Sequence, residues 1–360
     1  MNHSLQGGGR QIRVLVVDDS AFIRTALTRM IESDPLLSVV ATAIDGREAL
    51  EKIVTVRPDV VTLDVEMPVL DGLETLRRLM RNHPCPVIMV SSATQEGAEA
   101  TLEALDIGAF DYVAKPPSCA SLDIVKVRDD LIAKLKAAAT LSMRRPNLQV
   151  EAAPPSVQQL DPAYPIPGLV VIGSSTGGPK ALQQILPMLP ADLPVGLLIV
   201  QHMPPGFTAP FARRLDGLCN ISVREANAGD VLAPGMAYIA PAGQHMTVIR
   251  RGAAKFTLNI SPFPEETLHK PSVDVTMLSA AESCSSLSMG IIMTGMGADG
   301  MEGMKAIARA GGLTVGQNEA TCAVYGMPRS CAEAGVLRRI VPLNNIPKQI
   351  LLATRYQRRI

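Results

Sequence analysis

The sequence lacks the features that would indicate a membrane protein or a nucleic-acid-binding protein. No apolar run is long enough to cross a bilayer. The first residues, Met1 to Gln11, are polar and glycine-rich and lack the apolar core of a signal peptide. The 34 basic residues balance the 34 acidic ones, and no long basic run occurs. We therefore expect no membrane insertion and no nucleic-acid surface as the main function.

Cysteines are few and scattered, and aromatic residues make up only 3% of the chain. None of the six cysteines lies in a C-x-x-C pair or has the spacing of a metal site. This usage is typical of reduced thiols in a cytosolic protein, so we expect a cytoplasmic location. With 360 residues, 47% of them hydrophobic, the chain is long enough for two well-packed domains.

The first part of the chain alternates short apolar runs with helical patterns. The predicted strands are Ile12–Val17, Ser38–Ala43, Val60–Leu63, Val87–Val90 and Tyr112–Ala114. The predicted helices are Ser20–Ile31, Gly46–Val56, Gly72–Arg81, Ala98–Leu105 and Leu122–Leu135. Five strands that alternate with five helices predict an α/β domain with a doubly wound, flavodoxin-like parallel sheet.

Polar groups follow four of these strands, at the edge where such sheets carry their sites. Asp18 and Asp19 follow the first strand, and Asp64 follows the third. Ser91 follows the fourth strand and Lys115 the fifth. Each aspartate alone would be a solvated loop residue, but three converging carboxylates favour a hard cation such as Mg²⁺. Magnesium together with a lysine is suited to holding a phosphoryl group.

The same strand ends carry the motifs of a known family. The motifs are Asp18-Asp19, Asp64-x-Glu66-Met67-Pro68-x-x-Asp71-Gly72 and Lys115-Pro116. Over residues 13–136 the chain resembles the response-regulator receiver domain, and we place this domain at residues 11–138. The resemblance implies that Asp64 accepts a phosphoryl group from a histidine kinase, while Asp18 and Asp19 help it to hold Mg²⁺.

The resemblance also implies supporting roles around Asp64. Lys115 would contact the acyl phosphate, and the Ser91 hydroxyl would bond a phosphate oxygen after modification. Tyr112 occupies the position of the family's switch aromatic residue. Many relatives have threonine where Ser91 stands, but the hydroxyl group is retained.

A proline-rich segment follows, which we predict to be a linker over residues 139–167. Six prolines fall between Thr140 and Pro167, and this density favours extended backbone over a continuous helix. Such a segment is either an inert spacer or an element that sets how two domains dock.

The second part opens on a glycine-rich turn, Gly173-Ser174-Ser175-Thr176-Gly177-Gly178. An apolar strand, Leu169–Ile172, precedes the turn, and a helical pattern with proline in its first turn follows it. Gly173-x-Ser175-x-Gly177 fits the nucleophile elbow, with Ser175 at its centre and Ser174 as the weaker candidate. Glycine-rich turns before helices also bind phosphate, and from this turn alone the two interpretations are evenly balanced.

Two later strand ends favour the nucleophile. The apolar run Val195–Val200 leads to His202, and Leu287–Met293 leads to Asp299. A serine needs a base to take its proton, and an imidazole needs a carboxylate to orient it. His245 and His269 do not follow a comparable strand, so His202 is the preferred base. The glycines around Met296 could expose backbone N–H groups for an oxyanion hole.

The remaining predicted elements again alternate strands and helices around glycine-rich strand ends. They indicate a second doubly wound parallel sheet, which we describe as Rossmann-like. The motifs that carry a resemblance are Gly-Ser-Ser-Thr-Gly-Gly, Gln201-His202-Met203-Pro204, Pro271-Ser272-Val273-Asp274-Val275, Thr294-Gly295-Met296-Gly297-Ala298-Asp299-Gly300, Gln317-Asn318-Glu319-Ala320 and Tyr325-Gly326-Met327-Pro328. Together they resemble the chemotaxis methylesterase (CheB) family, and we place this domain at residues 168–357.

The resemblance implies a hydrolase that removes methyl esters from glutamate side chains of chemoreceptor helices and deamidates specific receptor glutamines. Ser175 would be the nucleophile, His202 the general base and acid, and Asp299 the orienting carboxylate. No cofactor is implied for the esterase reaction. The implied partners are a chemotaxis histidine kinase as phosphodonor and methylated chemoreceptor helices as substrate.

Two other functions remain alternatives at this point. One is a phosphorylation-switched binding module whose second domain binds a partner without catalysing a reaction. The other is a transcription regulator, which the absence of a helix-turn-helix pattern or basic recognition helix disfavours.

Overall fold

A computed structural model describes residues 10–92, 94–115, 123–143, 165–252 and 255–357. The chain divides into two compact units, and the division falls between Gln149 and Val150. Pro116 of the first motif set and most of the proposed linker lie outside the described residues.

In the first unit, the described residues form a five-stranded parallel sheet and five helices. Its strands are β1 (Ile12–Val17), β2 (Leu37–Ala43), β3 (Val60–Asp64), β4 (Val87–Ser91) and β5 (Asp111–Ala114). Its helices are α1 (Ala21–Glu32), α2 (Gly46–Val56), α3 (Gly72–Asn82), α4 (Gln95–Ile107) and α5 (Asp123–Met143). The strand order β2-β1-β3-β4-β5 is the flavodoxin-like order, which confirms the predicted fold.

Local sequence explains where these helices begin. Ser20, Asp45, Asp71 and Thr94 have extended backbone, and each side chain accepts an N–H from the first turn of the helix that follows. β3 and β4 are buried at every residue, as expected for central strands covered on both faces. α5 continues to Met143, past residue 139 where the sequence placed the start of the linker.

The second unit is built on a seven-stranded parallel sheet. The strands of the unit are β6 (Leu169–Ser174), β7 (Gly196–Gln201), β8 (Ser222–Glu225), β9 (Met236–Ile239), β10 (His245–Arg250), β11 (Phe256–Ser261), β12 (Ser288–Ile292), β13 (Leu313–Gln317) and β14 (Arg339–Val341). Its helices are α6 (Gly178–Ile185), α7 (Thr208–Leu218), α8 (Val273–Cys284), α9 (Met301–Arg309), α10 (Met327–Glu333) and α11 (Ile346–Ala353).

The sheet order is β14-β13-β12-β6-β7-β9-β8, and every described pair in it is parallel. The chain leaves the central β6 toward β7 and later returns to the other side of β6 as β12. The direction of winding therefore reverses beside β6, which is where ligands bind in open α/β sheets. This confirms the second doubly wound fold. Sequence reasoning did not identify β14 or α11.

β10 and β11 form a separate antiparallel pair that packs into the core of the second unit. Leu169, Leu198 and Val273 lie in one buried cluster together with side chains of this pair. The alternate residues of the central strands are equally buried, so both faces of the sheet are covered. Within the described residues, no helix is both long and apolar enough to span a membrane.

We predict that Leu198→Ala lowers the free energy of unfolding of the second unit by about 2–5 kcal/mol, because it removes a fully buried side chain from this cluster and leaves a cavity. Urea denaturation of the full chain, followed by circular dichroism, measures the loss. The matched control is Leu218→Ala at the exposed end of α7, where we expect a change within about 0.5 kcal/mol. Equal effects of the two substitutions would contradict the assignment of this core.

Candidate functional site

In the first unit, the acidic residues and the lysine meet at the carboxyl edge of the sheet. Asp18 and Asp64 are buried, Asp19 is exposed, and one carboxylate oxygen from each lies within 4.8 Å of the others. Lys115 Nζ lies 2.6 Å from Asp64 Oδ2 and 3.1 Å from Asp18 Oδ2. Three carboxylate oxygens this close together match the oxygen ligands that Mg²⁺ prefers.

The electrostatics of Asp64 also suit a cation. Burial raises the pKa of Asp64 to about 6, and the charge of Asp18 acts in the same direction, against the hydrogen bond from Lys115. A divalent ion would supply the positive charge that two neighbouring buried carboxylates need.

The turn after β3 brings backbone against Asp64. A Cβ on Gly72 would lie 2.0 Å from the Asp64 carbonyl oxygen, so only glycine allows α3 to begin this close. Asp71 caps the same helix by accepting the Glu74 N–H at 2.8 Å. Asp71 and Gly72 therefore shape the loop that carries the phosphoacceptor candidate.

The two other receiver positions are both buried. Ser91 Oγ donates to the Gly97 carbonyl at 3.0 Å, so this hydroxyl must turn to reach a group on Asp64. The Tyr112 side chain is inside the unit, and burial raises the pKa of its phenol. Lys134 Nζ donates to the Tyr112 carbonyl and lies 5.3 Å from the ring centroid. Sequence reasoning did not identify Lys134, which packs Tyr112 against α5.

In the second unit, β6 and β7 end side by side, which places Ser175 next to His202. The register pairs Ser174 with Gln201, and the His202 N–H donates to the Ser174 carbonyl at 3.1 Å. Buried Gln201 joins the two strand ends: its Nε2 donates to the carbonyls of Ser175 (2.9 Å) and His202 (3.0 Å).

The same amide distinguishes the two serine candidates. Gln201 Oε1 accepts the hydroxyl of Ser174 at 2.7 Å, and Ser174 is fully buried. Ser175 is partly exposed. A hydroxyl that must attack a substrate has to be accessible, so the geometry favours Ser175.

His202 is bonded to Asp299 through one ring nitrogen. Nε2 lies 2.7 Å from Asp299 Oδ2, and the histidine side chain is 8% exposed. The other nitrogen, Nδ1, is buried and has no hydrogen-bond partner within the described parts of the chain. The structure thus joins His202 to Asp299 through Nε2 and leaves Nδ1 as the ring nitrogen that Asp299 does not engage. It contains no Ser175–His202 hydrogen bond, a contact that often tightens only with substrate.

Asp299 is held by the start of α8. Its Oδ2 accepts the Val273 N–H at 2.7 Å, and its Oδ1 accepts the Ser272 hydroxyl at 2.8 Å and the Asp274 N–H at 3.0 Å. Burial by itself would raise the pKa of Asp299. The hydrogen bond and charge of His202, with these N–H groups, outweigh burial and hold the pKa well below its ordinary value.

The loop after β12 passes against Ser175. Thr294 accepts the Ser175 N–H through its carbonyl at 3.0 Å, and a Cβ on Gly295 would lie 2.8 Å from Ser175 Cβ. Met296, the suggested oxyanion position, is the next residue and is partly buried. Close approach at Gly295 therefore brings the Met296 backbone into the neighbourhood of the serine.

Sequence reasoning missed three residues around this site. Ser272 lies in the Pro271–Val275 motif and caps α8, and its hydroxyl also donates to Asp299. His245 is fully buried at the start of β10 and accepts the Ser272 N–H on Nδ1. His269 stacks on His202. Only the Pro271–Val275 motif pointed to this region, and it did not include either histidine.

The fold and the site define a two-unit protein in which a phosphoacceptor-type α/β unit accompanies a Rossmann-like unit with serine, histidine and aspartate at its strand ends. A family model described as CheB methylesterase matches residues 170–350, and one described as response regulator receiver domain matches residues 14–124. The chain belongs to the CheB methylesterase family and carries a receiver domain.

Relatives match over nearly the whole length. A protein from Symbiobacterium thermophilum named protein-glutamate methylesterase/protein-glutamine glutaminase is 50% identical, over 96% of this chain and 97% of that protein. One of the same name from Pyrococcus horikoshii is 46% identical, over 96% and 94%. The solved catalytic domain of Thermotoga maritima CheB methylesterase is 38% identical, with a TM-score of 0.50, over 51% of this chain and 97% of that one.

We predict that Gly295→Ala lowers kcat/KM for ester hydrolysis by about 100-fold, because the added methyl would lie 2.3 Å from Met327 Sδ and 2.8 Å from Ser175 Cβ and would force the backbone around Ser175 to shift. A steady-state assay of methanol release measures the change. Gly217→Ala is the control, since its added methyl meets no atom within 4 Å, and it should leave the rate unchanged. Full activity of the Gly295 variant would show that Ser175 tolerates displacement or is not the reacting group.

Proposed function

We propose that this chain is a phosphorylation-regulated protein-glutamate methylesterase and protein-glutamine glutaminase that works through Ser175, His202 and Asp299. The observation that carries the proposal is the 2.7 Å contact of His202 Nε2 with Asp299, at a strand end adjoining that of Ser175. The full-length relatives named for both activities support it. They give no support to a binding module without hydrolase activity.

In the first half of the reaction, Ser175 Oγ attacks the ester carbonyl carbon as its proton passes to His202 Nδ1. Asp299 keeps the Nε2–H in place and stabilises the imidazolium that forms. We propose that backbone N–H groups near Met296 stabilise the negative charge that develops on the carbonyl oxygen. The bond between the carbonyl carbon and the methoxy oxygen then breaks, and the leaving group takes the proton from His202 to depart as methanol.

In the second half, water hydrolyses the acyl-enzyme. The water oxygen attacks the carbonyl carbon while His202 takes a proton from the water. When the bond between the acyl carbon and Ser175 Oγ breaks, His202 gives that proton to Ser175 Oγ. The products are a glutamate side chain and free enzyme. With a glutamine substrate the same steps release ammonia in place of methanol, so one site serves both activities.

The receiver unit would regulate this site through Asp64. Asp18, Asp19 and Asp64 would hold Mg²⁺, which supplies positive charge for phosphoryl transfer. Lys115, already 2.6 Å from Asp64 Oδ2, would pair with the acyl phosphate. Ser91 would give up its bond to Gly97 and turn to a phosphate oxygen.

The partners follow from these two chemistries. We propose a histidine kinase as the phosphodonor and methylated chemoreceptor helices as the substrate. Because such a kinase draws its phosphoryl group from ATP, we propose the cytoplasm as the location.

We predict that Ser175→Ala reduces methanol release from methylated receptor by at least about 1,000-fold, because the nucleophile is lost. Ser174→Ala should retain activity within about tenfold, since Ser174 only supports Gln201. A serine-reactive fluorophosphonate should label the wild-type protein at Ser175 and fail to label Ser175→Ala. Absence of labelling in the wild type would favour the binding module instead.

We predict that Asp64→Asn abolishes stimulation by acetyl phosphate while basal hydrolysis persists, because the amide cannot form the acyl phosphate. Removal of Mg²⁺ with EDTA should have the same effect on the wild type. The comparison variant is Asp129→Asn, whose side chain is 63% exposed on α5 and which should respond normally. Stimulation that survives in Asp64→Asn would place the switch elsewhere.

A further inference from the structure

The ring of His269 lies nearly flat against the ring of His202. The ring centroids are 4.0 Å apart and the planes differ by 18°. Aromatic rings in contact can stabilise each other beyond the area that they bury. His269 thus touches the proposed general base on its face, whereas Asp299 touches it on its edge.

A second restraint matters because the bond to Asp299 leaves one rotation weakly fixed. Nε2 lies nearer than Nδ1 to the axis through Cβ and Cγ, so rotation about that bond moves Nδ1 farther than it moves Nε2. The terminal torsion of histidine has broad minima and does not by itself fix the ring plane. Since Nδ1 has no hydrogen-bond partner within the described chain, a contact on the ring face is needed to set its direction.

The segment that carries His269 is held on both sides by a buried histidine, His245. His245 Nε2 lies 3.1 Å from the Pro264 carbonyl and 3.1 Å from Thr267 Oγ1, and His245 Nδ1 accepts the Ser272 N–H at 3.2 Å. Because Nδ1 accepts, Nε2 carries the hydrogen and donates it. Burial lowers the pKa of His245, in opposition to the bond to Pro264, and favours this neutral form. The segment on both sides of His269 is therefore fixed to one ring.

We infer that His269 is a positioning residue for the reaction: its ring sets the plane of His202 so that Nδ1 faces Ser175. The inference rests on the proposed function. The same segment continues into Ser272, which donates to Asp299, so one stretch of chain positions both the imidazole and its carboxylate partner. A flat ring at position 269 is what the role requires.

The experiment uses the full chain with Mg²⁺ and acetyl phosphate and compares His269→Ala with His269→Phe. Two rates are measured: fluorophosphonate labelling of Ser175, and methanol release from methylated receptor. We expect His269→Ala to lower the labelling rate and kcat by about 10- to 100-fold with KM unchanged, because the base is misdirected. We expect His269→Phe to stay within about threefold of the wild type, because phenylalanine keeps the stacking surface.

The control is Leu268→Ala: Leu268 is 80% exposed and precedes His269 in the chain, so this variant should label at the wild-type rate. Wild-type labelling of His269→Ala would overturn the inference. A His269→Phe variant as slow as His269→Ala, with an unchanged circular dichroism spectrum, would also overturn it, since the flat ring would then not be the active feature. Failure of the proposed function would look different, because the wild type would not label or Ser175→Ala would.

Discussion

The site of the second unit depends on the hydrogen bonds that the start of α8 donates to the Asp299 carboxylate. A buried carboxylate is costly unless its oxygens are satisfied, and here two backbone N–H groups and the Ser272 hydroxyl satisfy them. The positive end of a helix favours the anion at the same point. Asp299 therefore stays charged beside His202, and the direction of the imidazole bond is set before any substrate arrives.

The two units use buried carboxylates in opposite ways. Asp299 has donors on both oxygens, which hold its pKa below the ordinary value. Asp64 lies beside the carboxylate of Asp18 and has Lys115 as its main hydrogen-bond donor. Burial outweighs the hydrogen bond from Lys115, so the pKa of Asp64 is raised. The first arrangement suits a permanent anion that orients a base. The second suits a group that is completed by a cation and then chemically modified.

Sequence reasoning located both sheets because each buried parallel strand is a continuous apolar run, such as Val60–Leu63 or Val195–Val200. It missed β14 because Arg339–Val341 is a three-residue edge strand of half-exposed residues, too short for a periodic signal. It also passed over His245 and His269, since neither follows a strand of the parallel sheet. Their roles arise from packing between β10, the 263–271 segment and α8, and no local pattern encodes such contacts.

The sequence by itself determined the two α/β folds, the polar residue at each strand end and the family to which the motifs belong. Those features are local, because strand patterns and glycine-rich turns depend on residues that are adjacent in the sequence. Only the tertiary structure decided that Gln201 ties Ser175 to His202, that Ser174 is buried away from substrate, and that His269 stacks on the proposed base. Those features join residues far apart in the chain, and their geometry exists only once the sheet and α8 have packed.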